Sequence, residues 1–389
     1  MLTPEKPQNY LFSQVHQPFF LSGIIFAIVV MLIFMLSYKG ILTLQVESTA
    51  FHSYSLIYIV FTQFFTGFIF TTFPRFLQAE AVEKSYYLRT WIIQQLGALL
   101  FVLGAVTSIY LLHGALFLLF FANASIVYKL QKLYSSGQSK AKSDPRWILT
   151  GFYLGLFAHL LYMLYFLKID VNAVPIAVNL YLVYVTFVVG QRMVPFFSHS
   201  MSASDPRFAP AVFIGLVLKT AAIYLDLSYI EAVIDVTLGL YIALEIRRWK
   251  LPFKNSAAIL KVLHVSLYWL VAALLLGAAV PLLEKVFEMN FLQLESHLLA
   301  LGFVTTMLIG FGTRVTLGHS GQPPHADSTT LKIFYLLQAV VIGRILFSLA
   351  IGFDTGMFWM FDFSITLWLL LFIFWAARFG PVLVSERRL

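Results

Sequence analysis

Cysteine is absent from all 389 residues. Its absence excludes disulfides, thiolate-bound zinc, iron–sulfur clusters and covalent haem attachment through paired cysteines. Any metal held by the chain therefore sits on nitrogen or oxygen. Charge is scarce as well: Asp, Glu, Lys and Arg make up 11% of the residues. No long polar stretch interrupts the chain, which leaves no room for a separate aqueous domain. The N-terminal stretch lacks the basic start and small-residue cleavage site of a secretory leader. Its first apolar run is long enough to span a bilayer, so that run is expected to stay as a helix. What fills the chain is apolar, with 60% hydrophobic and 17% aromatic residues and a mean hydropathy of +0.85. These values place it among all-α, polytopic membrane helix bundles, expected as one integral-membrane unit over residues 1–389.

Twelve apolar segments are expected to span, near 18–38, 51–73, 90–111, 112–132, 147–167, 172–195, 210–226, 229–246, 258–283, 291–318, 331–352 and 356–378. Each approaches the ~20 residues a tilted helix needs. The boundary at 112 rests on His113 and Gly114. An even count puts both termini on one side. The loops on that side carry Lys84, Arg89, Lys129, Lys132, Lys140, Lys142, Arg146, Arg247, Arg248, Lys250 and Lys254, and the tail adds Arg378, Arg387 and Arg388. The opposite loops hold only Lys39, Lys168 and Lys285. Because positive loops stay inside, both termini are expected in the cytoplasm. Topology thus accounts for the net charge of +8, and the partner it implies is membrane lipid, with no nucleic acid. The repeated tetrapeptides Ser143-Asp144-Pro145-Arg146 and Ser204-Asp205-Pro206-Arg207 read as helix starts, an aspartate cap followed by proline.

Ionisable residues inside spans mark function by default, because they are costly in lipid unless they face protein, a cavity or a ligand. The stretch Glu295–Gln322 has His297 near one end, His319 at the other and Arg314 about one turn before it. At ~1.5 Å per residue the two histidines lie ~33 Å apart, roughly one hydrocarbon thickness, so one helix offers an imidazole to each membrane face. Orientation sorts the others by depth. His52 and His297 lie toward the outside; His16, His264 and His319 lie toward the cytoplasm. Two imidazoles at one depth on different helices are what axial ligation of a b-type haem requires, and neutral histidine also suits copper. His52, His297, His264 and His319 are the candidate metal ligands, and His16 joins them as a cofactor contact. Arg192 and Arg314 stand at cytoplasmic helix ends where a guanidinium could pair with a haem propionate. The alternative is that these histidines are satisfied polar groups at helix ends and that the arginines snorkel to headgroups. His159, nearer the middle, and the loop residues His113, His199 and His325 read as structural or solvent-facing. Lys219 with Asp235, and Arg344 with Asp362, are expected to pair across two helix hairpins; the competing reading makes these four a proton or ion path.

The segments SHLLALGFVTTMLIGFGTRVTLGHSGQP at 296–323, VVGQRMVPFF at 188–197, FHSYSLIYIVFTQFFTGFIFTTFPRF at 51–76 and HQPFFL at 16–21 resemble, in order, the signature stretches of the NnrS family. That family comprises twelve-span bacterial inner-membrane proteins that bind haem and copper in the response to nitric oxide. By this resemblance His297, Arg314, Gly318 and His319 match the family's His-to-Arg-Gly-His helix, and Arg192, Pro195 and Phe196 match its Gly-Arg-x-x-Pro-Phe-Phe turn. His52 matches the first histidine of its Trp-His-x-His-Glu motif. Phe51, Tyr54 and Ser55 stand where that motif has tryptophan, the second histidine and glutamate. The resemblance implies a haem protein that binds or acts on nitric oxide or another small diatomic and protects against nitrosative stress, and the departures at Tyr54 and Ser55 favour one haem b on the remaining histidines over haem plus copper. The electron donor stays unassigned, since no loop is large enough to dock a soluble redox partner. A cofactor-free twelve-helix secondary transporter using Lys219, Asp235, Arg344 and Asp362 is the alternative, and a haem-delivery factor is a third reading.

Overall fold

The computed structural model describes residues 10–200, 205–385 and 389. Among them the chain forms twelve long helices: α1 (His16–Tyr38), α2 (Ser48–Leu77), α3 (Lys84–Thr107), α4 (Ile109–Ser136), α5 (Ser143–Phe166), α6 (Ile176–Phe197), α7 (Phe208–Tyr224), α8 (Ser228–Arg248), α9 (Ala258–Phe287), α10 (Leu294–His319), α11 (Ser328–Gly352) and α12 (Met360–Ser385). Ten are long and apolar enough to cross a bilayer unaided. The other two form a hairpin: α7 is only 17 residues long, and α8 carries Glu231, Asp235 and Glu245 along its length. The chain is a multi-pass helical membrane protein, and each of the twelve expected segments is a helix.

Burial divides the bundle. The apolar windows of α2, α10 and α6 are 94%, 83% and 72% buried, against 39–56% for the other seven spans, so these three form the centre. All three contain a π-helical stretch: Ser55–Phe61 in α2, Ile176–Val183 in α6 and Leu298–Thr305 in α10. A π turn bonds each amide five residues back and opens the backbone, a feature concentrated at functional sites. Threonine hydroxyls at the ends of two stretches reach carbonyls at the same offset. Thr62 Oγ1 donates to Ile57 O at 2.8 Å, Thr305 Oγ1 to Ala300 O at 2.8 Å and Thr306 Oγ1 to Leu301 O at 3.2 Å. In α2 the stretch begins three residues after His52, and in α10 it begins immediately after His297.

Local departures from the expected boundaries have physical causes. The third and fourth helices part at Ser108, in extended conformation, and not at His113–Gly114. A Cβ at Gly104 would collide with the Leu112 backbone, so glycine there lets the two helices close tightly. His113 consequently lies within α4, and its Nε2 meets the Phe166 carbonyl at the end of α5 at 3.1 Å. Asp144 does not cap α5. It sits in the first turn, where a carboxylate suits the positive helix end, and takes bonds from Gln191 Nε2 at 3.0 Å and Arg192 Nη1 at 2.8 Å. In the second tetrapeptide Ser204 lies outside the described residues, as do Arg387 and Arg388; the Asp205 carboxylate accepts from the Arg207 amide at 2.8 Å.

The α7–α8 pair forms as expected, with Lys219 Nζ 2.5 Å from Asp235. It is larger than a pair, because Glu295 of α10 and Glu231 also reach the ammonium, at 2.7 Å and 3.4 Å. The Arg344–Asp362 pair is corrected. Asp362 binds Lys39 at the end of α1, at 2.9 Å, and Arg344 turns to α10. Both described chain ends meet the His319 end of the bundle. Gln14 Nε2 lies 3.4 Å from His319 O, and Leu389 N lies 2.8 Å from Gln322 Oε1. This is the basic end, with an even number of crossings between the two ends.

Candidate metal centre

The histidines expected to share a depth meet in two pairs, one at each end of α10. Away from the basic end, His52 of α2 and His297 of α10 have ring centres 6.2 Å apart and planes within 17°. Phe34 of α1 stacks on His52 at 4.3 Å. The Nδ1 of His297 lies 2.8 Å from the Gln293 carbonyl one turn earlier. A carbonyl only accepts, so this contact, shorter than the 3.2 Å approach of Arg344 to the same nitrogen, favours the proton on Nδ1 and a lone pair on Nε2, the tautomer a metal ligand needs. Nδ1 of His52 is buried with no hydrogen-bond partner. Two imidazoles on opposite sides of one metal, each nitrogen at about 2 Å, hold their ring centres roughly 6 Å apart. The observed spacing agrees.

Arg344 completes this end. Its guanidinium donates to Leu292 O at 2.7 Å and to Ser348 Oγ, and it lies 3.2 Å from His297 Nδ1. A cation beside two neutral imidazoles favours an anionic ligand or the acidic edge of a cofactor. Arg344 is thus not the partner of Asp362 that its place in the sequence suggests. Its depth along α11, close to that of His297 along α10, was the available signal.

At the basic end, His16 of α1 and His319 closing α10 have ring centres 4.8 Å apart and planes tilted by 49°. His16 is 2% exposed, its Nδ1 has no hydrogen-bond partner, and Phe20 meets its ring edge-on at 5.5 Å. This spacing is shorter than opposed ligation requires and suits two neighbouring corners of a four-coordinate metal. The exposed guanidinium of Arg75, at the end of α2, lies near enough to act electrostatically on both rings. The sequence signal for Arg75 is its place in Thr72-Phe73-Pro74-Arg75-Phe76, within a family-like stretch.

The expected cytoplasmic trio does not assemble. His264 stands apart on α9, its Nε2 2.7 Å from Ser198 Oγ and its ring against Phe253 at 6.1 Å. Its Nδ1 is buried without a hydrogen-bond partner. Equal depth places residues along the membrane normal and says nothing of their angular position around the bundle. Arg192 is already neutralised by Asp144 and lies over the Phe76 ring at 4.4 Å, so it is not free for a propionate. Arg314 lies over Phe197 at 4.0 Å and has no carboxylate partner among the described residues. It stays available.

His159 is structural, as expected. Its ring nitrogens meet Tyr54 Oη at 2.9 Å and the Asn123 amide at 3.0 Å, which uses both. Tyr54, in the place of the family motif's second histidine, is thereby committed to His159. The ligand atoms of Glu231, Asp235 and Glu295 fall within 4.8 Å of one another, but the Lys219 ammonium occupies their midst and serves as counter-ion.

The donor set fits haem or copper: neutral nitrogen ligands on separate helices, buried ring nitrogens without protein partners, and nearby guanidinium groups that have no carboxylate partner among the described residues. No curated protein matches the chain. A family model described as NnrS protein matches residues 10–387. All but nine residues at one end and two at the other fall within that match, and the chain belongs to the NnrS family.

Proposed function

We propose that this chain is a haem-binding protein of the bacterial inner membrane, with a histidine pair able to take copper, that binds or acts on nitric oxide and so protects against nitrosative stress. Family membership supports the link to nitric oxide. The observation that carries the reading is the meeting of His52 with His297 and of His16 with His319, at opposite ends of one central helix. Pairs that cross from one helix to another at ligand spacing are not needed to satisfy a helix end. A haem held by these residues would supply the iron chemistry of diatomic binding.

The residues of the chain do the rest. Gln293 holds the His297 proton on Nδ1 and leaves Nε2 as donor. Arg344 stands beside that pair, and Arg75 and Arg314 stand at the other end, where a guanidinium can balance an anionic group. Phe34 covers His52, and the aromatic interior excludes water while admitting an uncharged gas from the lipid.

The deciding experiment is an anaerobic visible spectrum of the purified protein with metal analysis of the same samples. The expected result is an intense Soret band that shifts on adding nitric oxide. Substituting His52, His297, His16 or His319 with alanine lowers haem or metal content, whereas His264→Ala retains it. A colourless, metal-free protein would contradict the reading. The buried Lys219 cluster would then carry the transporter alternative.

A further inference from the structure

An apolar cavity of about 40 Å³ lies where α1, α2, α6 and α10 meet. Leu308 on its wall is eleven residues from both His297 and His319, so the cavity sits ~16 Å from each pair along α10. Phe20, Phe64, Met307 and Phe311 form much of its wall, and Thr186 supplies the single polar side chain. The Thr186 hydroxyl is buried with no hydrogen-bond partner. Gly312 contributes to the opening, because a Cβ there would lie 3.1 Å from Trp375.

Two properties decide the occupant. The volume exceeds the ~10–15 Å³ one water requires, but a stable buried water also needs two to four polar partners, and apolar cavities of this kind stay dry and take up apolar gases. A lone hydroxyl does not hold water well; it does not repel a small dipolar diatomic. Phe20 links the cavity to the basic-end pair, since it lines the one and packs edge-on against His16 of the other.

We propose that this cavity is a binding site for neutral diatomic gas, a holding position from which a ligand taken from the lipid passes Phe20 to the His16–His319 end. The gas being nitric oxide rests on the function proposed above; the affinity for small apolar gases does not. Crystals of the full-length protein pressurised with xenon test it. An anomalous peak is expected between Phe64, Met307 and Phe311 in the native protein and is expected to vanish in Val304→Phe and, separately, in Val189→Phe. Both residues line the cavity and neither touches a histidine pair. Ordered water on Thr186 in place of xenon, or a xenon peak that survives both substitutions, would overturn the proposal. Xenon binding in a protein that proves free of haem would sink the functional reading and leave the gas site standing. Haem without xenon would do the reverse.

Discussion

Lys219 shows how one side chain organises its surroundings. A single ammonium, 2% exposed, faces carboxylates on α7's neighbours α8 and α10. Removing one acid leaves two to balance the cation. Removing the lysine leaves three acids with none, and breaking a buried ion network from its minority side costs roughly 3–5 kcal/mol. Lys219→Met is therefore expected to lower thermal stability in detergent severely, and Asp235→Asn by less than half as much; equal losses would contradict this account. The Lys219–Asp235 contact was legible because adjacent antiparallel helices bring equal depths together. Arg344 and Asp362 satisfied the same rule and failed it. Asp362 is 49% exposed, so Lys39 could reach it from α1, while half-buried Arg344 took partners at the start of α10. The histidine pairs were legible as depths, and the isolation of His264 was not, because depth carries no angular information.

Elements carry the next level. Helices that are apolar on all sides have no polar face to betray a change of period, so the π stretches in α2, α6 and α10 left no trace in hydropathy. Their consequence is directional. A π turn is an α-helix with one added residue, and each helical residue advances ~100°. Deleting Ala300 is expected to restore ordinary helix below His297 and swing that ring about 100° away from His52. Haem or metal at that end should fall while helical circular dichroism and the His16–His319 end persist; unchanged occupancy would remove the π stretch from the argument.

The cap of α11 offers a second test. Asp327 accepts from Thr330 N at 2.9 Å and meets Arg378 of α12 at 2.5 Å. Partial burial pushes its carboxyl up, but the Thr330 hydrogen bonds and the Arg378 charge outweigh it and hold it below the usual carboxylate range. The folded value is thus lower than the unfolded one, so the stability it contributes is present above pH ~4 and is lost as pH falls through the depressed value. Asp327→Ala should cost about 1 kcal/mol at neutral pH, and thermal melts of variant and native protein should converge in acid. A gap that widens in acid would reverse the assignment.

At the scale of the molecule, composition and loop charge foretold an all-helical bundle of twelve segments with both ends on one side, because bilayer thickness and the positive-inside bias act on sequence directly. Which helices sit at the centre was less accessible. The threonines and glycines of α2 and α10 were the signal, since small and hydroxylated residues let helices approach closely. The orientation predicts that a fluorescent protein fused after Leu389 matures in the cytoplasm and that alkaline phosphatase at the same place stays inactive; the opposite pattern would invert the assignment of the two histidine ends to membrane faces.

The claim beneath all of this is that α2 and α10 grip one metal between His52 and His297. Low-temperature electron paramagnetic resonance of the oxidised, purified protein tests it most directly. The account predicts a low-spin ferric signal of two axial imidazoles that is lost in both His52→Ala and His297→Ala and kept in His264→Ala. A native spectrum without that signal, or one untouched by either substitution at His52 and His297, would contradict it.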